Sequence, residues 1–245
     1  MTLKQQVVTT GLGGILRILL RVQDGQLHRV PEHGPFILMP NHINFLEAPV
    51  LWTQLWPRRV TVLAKVETWD NPALRFLFNV GEAIPLRRGE ADIGALRRGL
   101  AVLKAGKILG LAPEGHRSNT GQLQQGHAGI AFVALHSGAP IWPVACYGGE
   151  RFRDNITRLR RTDFHIVVGQ PFYVEAKGAP VMGALRRRIT DEIMYQLAAL
   201  LPPFYRGYYS NLGAATEEYL RFEPPARSNI ALLAKQEVGA VVQAA

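Results

Sequence analysis

The stretch FILMPNHINFLEAP, residues 36–49, joins an apolar run to a polar turn and then to a second apolar segment. A short apolar run bounded by turn residues is typical of a buried strand. Asn44 is a good N-cap residue, so the pattern predicts that a helix begins at this point. His42 then lies at the C-terminal end of the strand, where ligand sites lie in open α/β sheets.

The same alternation of apolar runs and helical patterns continues along the chain. We predict strands near residues 36–39, 60–64, 83–86, 108–111, 141–146 and 163–169. Helical patterns lie near residues 45–56, 72–79, 92–105, 126–137 and 181–200. Alternating strands and helices, with nearly continuous apolar strands, predict an α/β fold: a single domain with a mostly buried mixed sheet flanked by helices.

Residues 1–21 are predicted to form an N-terminal amphipathic helix. Five apolar residues share one face of it: Val8, Leu12, Ile15, Leu16 and Leu19. Arg17 and Arg21 interrupt the run, and no stretch reaches the ~18 apolar residues of a membrane span. Three glycines weaken the helix by about 1 kcal/mol each. It would therefore gain from an apolar surface, either a membrane interface or the core of this protein.

The main domain is predicted to span residues 22–210, and residues 211–245 form a C-terminal extension. Residues 22–31 are interpreted as irregular or hairpin-like, with a turn at Asp24 and Gly25. The prolines at 202 and 203 end the last long helix. The extension is less periodic and includes a second proline pair at 224 and 225.

Composition limits the classes of partner. The 245 residues are 47% hydrophobic and carry a net charge of +9. A basic surface suits nucleic acid, anionic lipid or a phosphorylated substrate. The arginine clusters lack helix-turn-helix, RNP or zinc-finger spacing, so nucleic acid is not favoured. Cys146 is the single cysteine, which excludes an internal disulfide and makes the cytosol the default compartment.

His42 and Glu47 form a candidate catalytic pair. In one continuous helix, residues five apart lie about 140° apart around the axis, so the two side chains meet only if His42 precedes the helix. A carboxylate that accepts from one imidazole nitrogen leaves the other nitrogen free as a base. No serine has the context of a nucleophile elbow, so the base would act on a substrate hydroxyl. The alternative is a structural or capping histidine.

Two other strand ends supply polar groups. The loop after the 108–111 strand contains Glu114, Gly115, Arg117 and Ser118, and the 83–86 strand ends at Arg87 and Arg88. Arginine can bind a phosphate with two parallel hydrogen bonds. Taken alone, each pattern is more often an ordinary turn or a basic strand end. Together with His42, they predict a site for an anionic substrate that bears a hydroxyl.

In this order, the patterns resemble the four motifs of the glycerolipid acyltransferases, the lysophosphatidic acid acyltransferase family. Asn41, His42 and Glu47 match the Asn-His-x4-Asp motif; Gly81 and Arg87 match the second motif; Glu114, Gly115, Arg117 and Ser118 match Glu-Gly-Thr-Arg-Ser; and Pro140, Ile141, Pro143 and Val144 match the proline motif. The resemblance covers roughly residues 20–210.

The resemblance implies acyl transfer from acyl-CoA or acyl-carrier protein to the free hydroxyl of a lysophospholipid. The expected acceptor is 1-acylglycerol 3-phosphate, and the product is phosphatidic acid. His42 would be the general base and Glu47 would orient it. No metal or cofactor is implied. The expected location is peripheral, on an anionic membrane surface at the cytoplasmic face.

The resemblance also assigns the acceptor site. Arg87 and Arg117 would hold the phosphate, and Glu114 would position Arg117 or a glycerol hydroxyl. Gly115 and Ser118 belong to the same substrate-binding loop.

Three departures from the family pattern leave the acceptor open. Glu47 stands where Asp is usual, His116 replaces Thr, and His127 stands where many members have Lys. One alternative is therefore an acyltransferase for another lysolipid. The other is a catalytically lapsed lipid-binding protein with the same pocket.

Overall fold

The computed structural model describes residues 3–87, 92–178 and 182–244, with side chains described as far as residue 237. The helices are α1 (Leu3–Leu19), α2 (Glu47–Gln54), α3 (Pro72–Val80), α4 (Ile93–Lys104), α5 (Gly129–Ser137), α6 (Phe152–Thr157), α7 (Gly183–Ala198) and α8 (Asn229–Ala244). The strands are β1 (Leu20–Gln23), β2 (Phe36–Pro40), β3 (Val60–Lys65), β4 (Ile84–Leu86), β5 (Ile108–Gly110), β6 (Ile141–Tyr147), β7 (Thr162–Val168), β8 (Tyr173–Val174) and β9 (Leu220–Arg221).

Seven strands form one mixed sheet, in the order β1-β7-β6-β2-β5-β3-β4. Neighbouring strands are parallel except for β6 and β7, which are antiparallel. The predicted α/β class and the six predicted strands are confirmed. The hairpin interpretation of residues 22–31 is wrong at its start, because residues 20–23 form a parallel edge strand beside β7.

The sheet is buried on both faces. Side chains alternate along a strand, so Ile37 and Met39 pack against a core with α5 and α7, while Phe36 and Leu38 face a second core with α1 and α2. This double burial explains why β2 is a continuous apolar run in the sequence. Because β2, β5, β3 and β4 are parallel, the polar residues that follow them lie along one edge.

Helix α1 packs against α2 and carries apolar residues on two faces. Leu16 is buried, and Leu12 and Leu19 are partly buried against the same core. Ile15, predicted to share that face, instead points outward with 56% of its surface exposed. It joins Leu3, Val7 and Ile18 in an outward stripe that we call the α1 stripe. No helix in the described ranges is both long and apolar enough to cross a membrane.

The C-terminal extension packs against the main domain through α7. Glu192 is buried there, and its carboxylate accepts hydrogen bonds from the Thr216 hydroxyl and from the backbone N–H groups of Glu218 and Tyr219. A buried carboxylate with several donors holds an otherwise irregular segment in one place.

Candidate active site

A tight turn after β2 brings His42 and Glu47 together. The Asn44 side chain accepts a hydrogen bond from the backbone N–H of Leu46 at 2.6 Å. The backbone N–H of Asn44 donates to Oε1 of Glu47 at 2.9 Å. The predicted helix start at Asn44 is wrong, since α2 begins at Glu47 with Leu46 in the cap position. Asn44 instead closes the turn that reverses the chain.

The His42 and Glu47 side chains face each other across this turn. Nδ1 of His42 lies 3.4 Å from Oε2 of Glu47, and the side chains are 20% and 4% exposed. A proton on Nδ1 would point at the carboxylate, which leaves Nε2 as an unprotonated base. Among the described residues, Nε2 has no hydrogen-bond partner. The pair is thus arranged for general-base chemistry on an incoming group.

Glu114, which follows β5, holds the backbone of His42. Its side chain is fully buried. Oε1 accepts from the His42 N–H at 2.5 Å, and Oε2 accepts from the Gln124 N–H at 2.9 Å. Both oxygens are occupied, and no contact joins Glu114 to Arg117 within the described ranges. These contacts indicate that Glu114 positions the His42 backbone, and its expected role toward Arg117 or a glycerol hydroxyl stays a prediction.

Burial raises the pKa of Glu114 above its usual range, and the hydrogen bonds from His42 and Gln124 oppose that shift. Burial of the Glu114 carboxylate therefore costs free energy, while its hydrogen bonds position His42. A neutral residue of the same size removes the cost but cannot accept at both oxygens.

We expect Glu114→Gln to lower kcat by about 10-fold to 100-fold with little loss of thermal stability. The amide NH2 would oppose one of the two backbone N–H groups, and small displacements of a catalytic group cost about this much. Gln124→Ala is the matched control, because it leaves both backbone hydrogen bonds to Glu114 in place. Wild-type kcat in a folded Glu114→Gln variant would contradict the positioning role.

The loop that follows Glu114 is hydrogen-bonded to the backbone of His42. The Ser118 N–H donates to the His42 carbonyl at 2.9 Å. The Ser118 hydroxyl accepts from the N–H groups of Thr120 and Gln122, so it bonds within its own loop. Gly115 has φ +69°, and a Cβ there would lie 2.8 Å from the His127 ring. Glycine is therefore required where the loop passes His127.

Arg117 comes after β5, the neighbour of β2, and Arg87 follows β4 at the same edge of the sheet. Arg117 is exposed next to Ser118 and makes no hydrogen bond or ion pair with any described residue. Arg87 is exposed at the end of β4, and its N–H donates to Asp92. Strands β2 and β4 are three positions apart, which corresponds to about 14 Å. Arg88 lies outside the described residues.

Two histidines depart from the family pattern: His116, which precedes Arg117 in the sequence, and His127. The rings of His116 and His127 are 6.1 Å apart. Partial burial lowers the pKa of His127, and the nearby charges of His116 and Arg187 act in the same direction. His127 is therefore held toward its neutral form, unlike the lysine expected at this position.

Asn41 is a structural residue of the site to which sequence reasoning gave no role. It is fully buried, and its amide donates to the Cys146 carbonyl at 2.8 Å and accepts from the Cys146 N–H at 2.7 Å. This pair of hydrogen bonds continues the β2–β6 pairing by one residue beyond the strand. The sequence contained an indication of this role, because an asparagine amide next to a strand end can make the hydrogen bonds that a backbone N–H and carbonyl would otherwise make.

A histidine–carboxylate pair at one edge of a mostly parallel sheet, with an exposed arginine in the neighbouring loop, is the arrangement that the resemblance to the acyltransferases predicts. Residues 21–147, just over half of the chain, match the family model described as Acyltransferase. The chain therefore belongs to the glycerolipid acyltransferase family, of the lysophosphatidic acid acyltransferase type.

Characterised relatives are distant. The chain is 21% identical over 163 residues to the 1-acyl-sn-glycerol-3-phosphate acyltransferase of Bacillus subtilis, covering 64% of this chain and 79% of that protein. It is 30% identical over 112 residues to the lyso-ornithine lipid O-acyltransferase of Pseudomonas aeruginosa, covering 45% and 42%.

Among solved structures, the 1-acyl-sn-glycerophosphate (LPA) acyltransferase PlsC from Thermotoga maritima has a similar fold. The TM-score is 0.55 at 20% identity, and the similarity covers 77% of each chain.

Proposed function

We propose that this acyltransferase moves a fatty acyl group from acyl-CoA or acyl-carrier protein to the free hydroxyl of a lysophospholipid. The observation that carries the proposal is the His42–Glu47 pair at 3.4 Å, with Nε2 of His42 free of described partners. The favoured acceptor is 1-acylglycerol 3-phosphate, as in the name of the Bacillus subtilis relative.

The reaction requires one proton to move twice. Nε2 of His42 takes the proton of the acceptor hydroxyl as its oxygen attacks the thioester carbonyl. The carbon–sulfur bond of the resulting tetrahedral intermediate breaks, and the thiolate takes the proton back from the imidazolium. Glu47 stabilises the imidazolium between these steps. General-base assistance of this kind contributes about 10²- to 10⁴-fold.

Arg117 is the residue best placed to bind the acceptor phosphate. It is exposed beside the loop that contacts His42 and has no described partner to displace. Arg87 lies about 14 Å from β2 across the sheet edge, so it suits a more distant part of an extended substrate. The pairing of arginine with phosphate is strong because two N–H groups can bind two oxygens.

We expect Arg117→Ala to raise the KM for a phosphate-bearing acceptor at least about tenfold, with little change in the KM for the acyl donor. The reason is the loss of a charge-assisted hydrogen-bonding fork. Steady-state kinetics with each substrate varied in turn would check this. Arg117→Lys should recover only part of the loss, and equal effects on both KM values would assign Arg117 another role.

A second candidate is an acyltransferase for another lysolipid. His116, next to Arg117 in the sequence, and His127, whose ring lies 6.1 Å from that of His116, stand where the family pattern has Thr and Lys. The Pseudomonas aeruginosa relative is named for a lyso-ornithine lipid. Mass spectrometry of products from one acyl donor and a panel of lysolipids would distinguish the two acceptors. The absence of any product would favour the lapsed lipid-binding alternative.

We also propose that the protein works at the cytoplasmic face of a membrane as a peripheral protein. The acceptor is a membrane lipid, and the α1 stripe presents Leu3, Val7, Ile15 and Ile18 outward. An apolar helical face of this kind binds at a bilayer interface. Co-sedimentation with vesicles, compared with a variant that has Val7→Ser and Ile18→Ser, tests the membrane binding.

A further inference from the structure

The turn between α6 and β7 presents an unusual leucine. Leu159 is 96% exposed, and its backbone is left-handed, with φ 52°. The N–H of Arg160 donates to the Asn155 carbonyl, and the N–H of Leu159 donates to the Ile156 carbonyl. These two hydrogen bonds form a Schellman motif, with Leu159 at the position that glycine usually occupies.

Folding alone does not favour leucine here. A left-handed backbone disfavours any residue with a Cβ, and exposure leaves the whole apolar side chain in water. Glycine would suit the turn better on both counts. Functional or strained sites are where residues that break local rules without a compensating contact are expected.

The surroundings of Leu159 are strongly basic. Residues 151–161 contain five arginines and one carboxylate, Asp154. Arg158 and Arg160 flank the leucine and are exposed, and their side chains make no hydrogen bond or ion pair with any described residue. Ile156, one turn earlier, is 39% exposed. The turn therefore combines an apolar tip with free positive charge.

The turn is joined to both the active site and α1. Phe152, the first residue of α6, packs edge-on against Phe45 in the catalytic turn, with ring centroids 5.6 Å apart. Leu159 lies just beyond the C-terminal end of α6, a six-residue helix about 9 Å long. At the other end, the Arg161 side chain donates to the carbonyls of Arg17 and Leu20, at the end of α1.

We propose that the α6–β7 turn is a bilayer contact of its own, in which Leu159 inserts into an anionic membrane while Arg158 and Arg160 bind lipid phosphates. Arginine stems can lie along apolar chains with the charged groups at the headgroups, and anionic lipids attract such clusters. The contact is separate from the α1 stripe and goes beyond the proposed function. It would place the catalytic turn close to the membrane surface through Phe45 and Phe152.

A fluorescent label gives the first test. Cys146 is fully buried, and burial raises the pKa of its thiol well above the usual range, so the native protein should resist alkylation there. An environment-sensitive dye on Leu159→Cys should shift to the blue with vesicles of one part phosphatidylglycerol to two parts phosphatidylcholine. The same dye on Lys104→Cys, at the end of α4 on the opposite face of the sheet, should not shift. No shift at position 159 would overturn the proposal.

A second test separates membrane binding from folding. Leu159→Gly should raise the melting temperature, because glycine suits the left-handed turn. It should also weaken partition into the same vesicles at least about tenfold, since fully burying a leucine side chain is worth at least that factor. Arg160→Glu should weaken partition, whereas Arg97→Glu, the same charge change on α4, should weaken it less. Unchanged partition of Leu159→Gly would overturn the proposal.

Turnover distinguishes this inference from the proposed function. Leu159→Gly should keep wild-type turnover on a dispersed short-chain lysolipid and lower turnover on lysolipid in vesicles in proportion to the weakened partition. If the wild type shows no turnover on either, the proposed function fails while the binding result stands. A raised KM for the acyl donor in the dispersed assay, with unchanged vesicle binding, would identify the turn as a donor contact instead.

Discussion

Replacing His42 with alanine is expected to lower kcat by at least about 10²-fold without loss of the fold. The imidazole supplies the only described base with an orienting carboxylate at this sheet edge, and general-base assistance contributes about 10²- to 10⁴-fold. The surrounding contacts depend on the His42 backbone, whose N–H and carbonyl bond to Glu114 and Ser118. Alanine keeps both of these contacts, so the loop should retain its shape.

Single-turnover kinetics and thermal denaturation of the same preparations would check this expectation. His136→Ala is the matched control, since His136 is an exposed histidine on α5 that bonds within its own helix. It should leave turnover unchanged. A folded His42→Ala variant with near-normal turnover would refute the general-base role.

Glu47→Gln is expected to lower kcat almost as much as the loss of His42. Oε1 of Glu47 accepts from the Asn44 N–H, and Oε2 faces Nδ1 of His42. An amide that keeps its oxygen toward Asn44 must turn its NH2 toward Nδ1. The imidazole then carries its proton on Nε2, which is the wrong tautomer for a base. The charge that stabilises the imidazolium is also lost.

Glu47→Asp is expected to cost much less, because aspartate keeps the charge and the tautomer. Its shorter side chain weakens the contacts to Asn44 and His42, so some loss of kcat should remain. Measurement of kcat and melting temperature for both variants separates the dyad from a purely structural glutamate, whose helix-dipole contribution is about 0.3–1 kcal/mol. Full activity of Glu47→Gln would rule out the dyad.

Six of the nine described strands and most helices could be predicted because their pattern is local. Doubly buried strands such as β2 and β6 need apolar residues at nearly every position. The resulting apolar run can be recognised in the sequence without knowledge of the neighbouring strands. The turn between His42 and Glu47 was predictable in outline, since five-residue spacing excludes a shared helical face. Its hydrogen bonds were not, and the helix begins at Glu47 rather than at Asn44.

The roles of individual site residues depended on contacts between distant parts of the chain. Glu114 is 72 residues from His42 in sequence, and no local pattern shows that its two oxygens bind backbone N–H groups. The distance of Arg87 follows from strand order, which places β5 and β3 between β2 and β4. Strand order arises from the packing of the whole sheet.

The fold class, six of the nine described strands and the motif residues could be predicted from the sequence alone, because burial and turn chemistry act within a few residues of each position. The tertiary structure was needed to show that Glu114 holds the His42 backbone. It also decided that Ile15 and Leu159 face outward, although both are apolar. Exposure is a property of the assembled surface: a side chain is buried only if another element covers it.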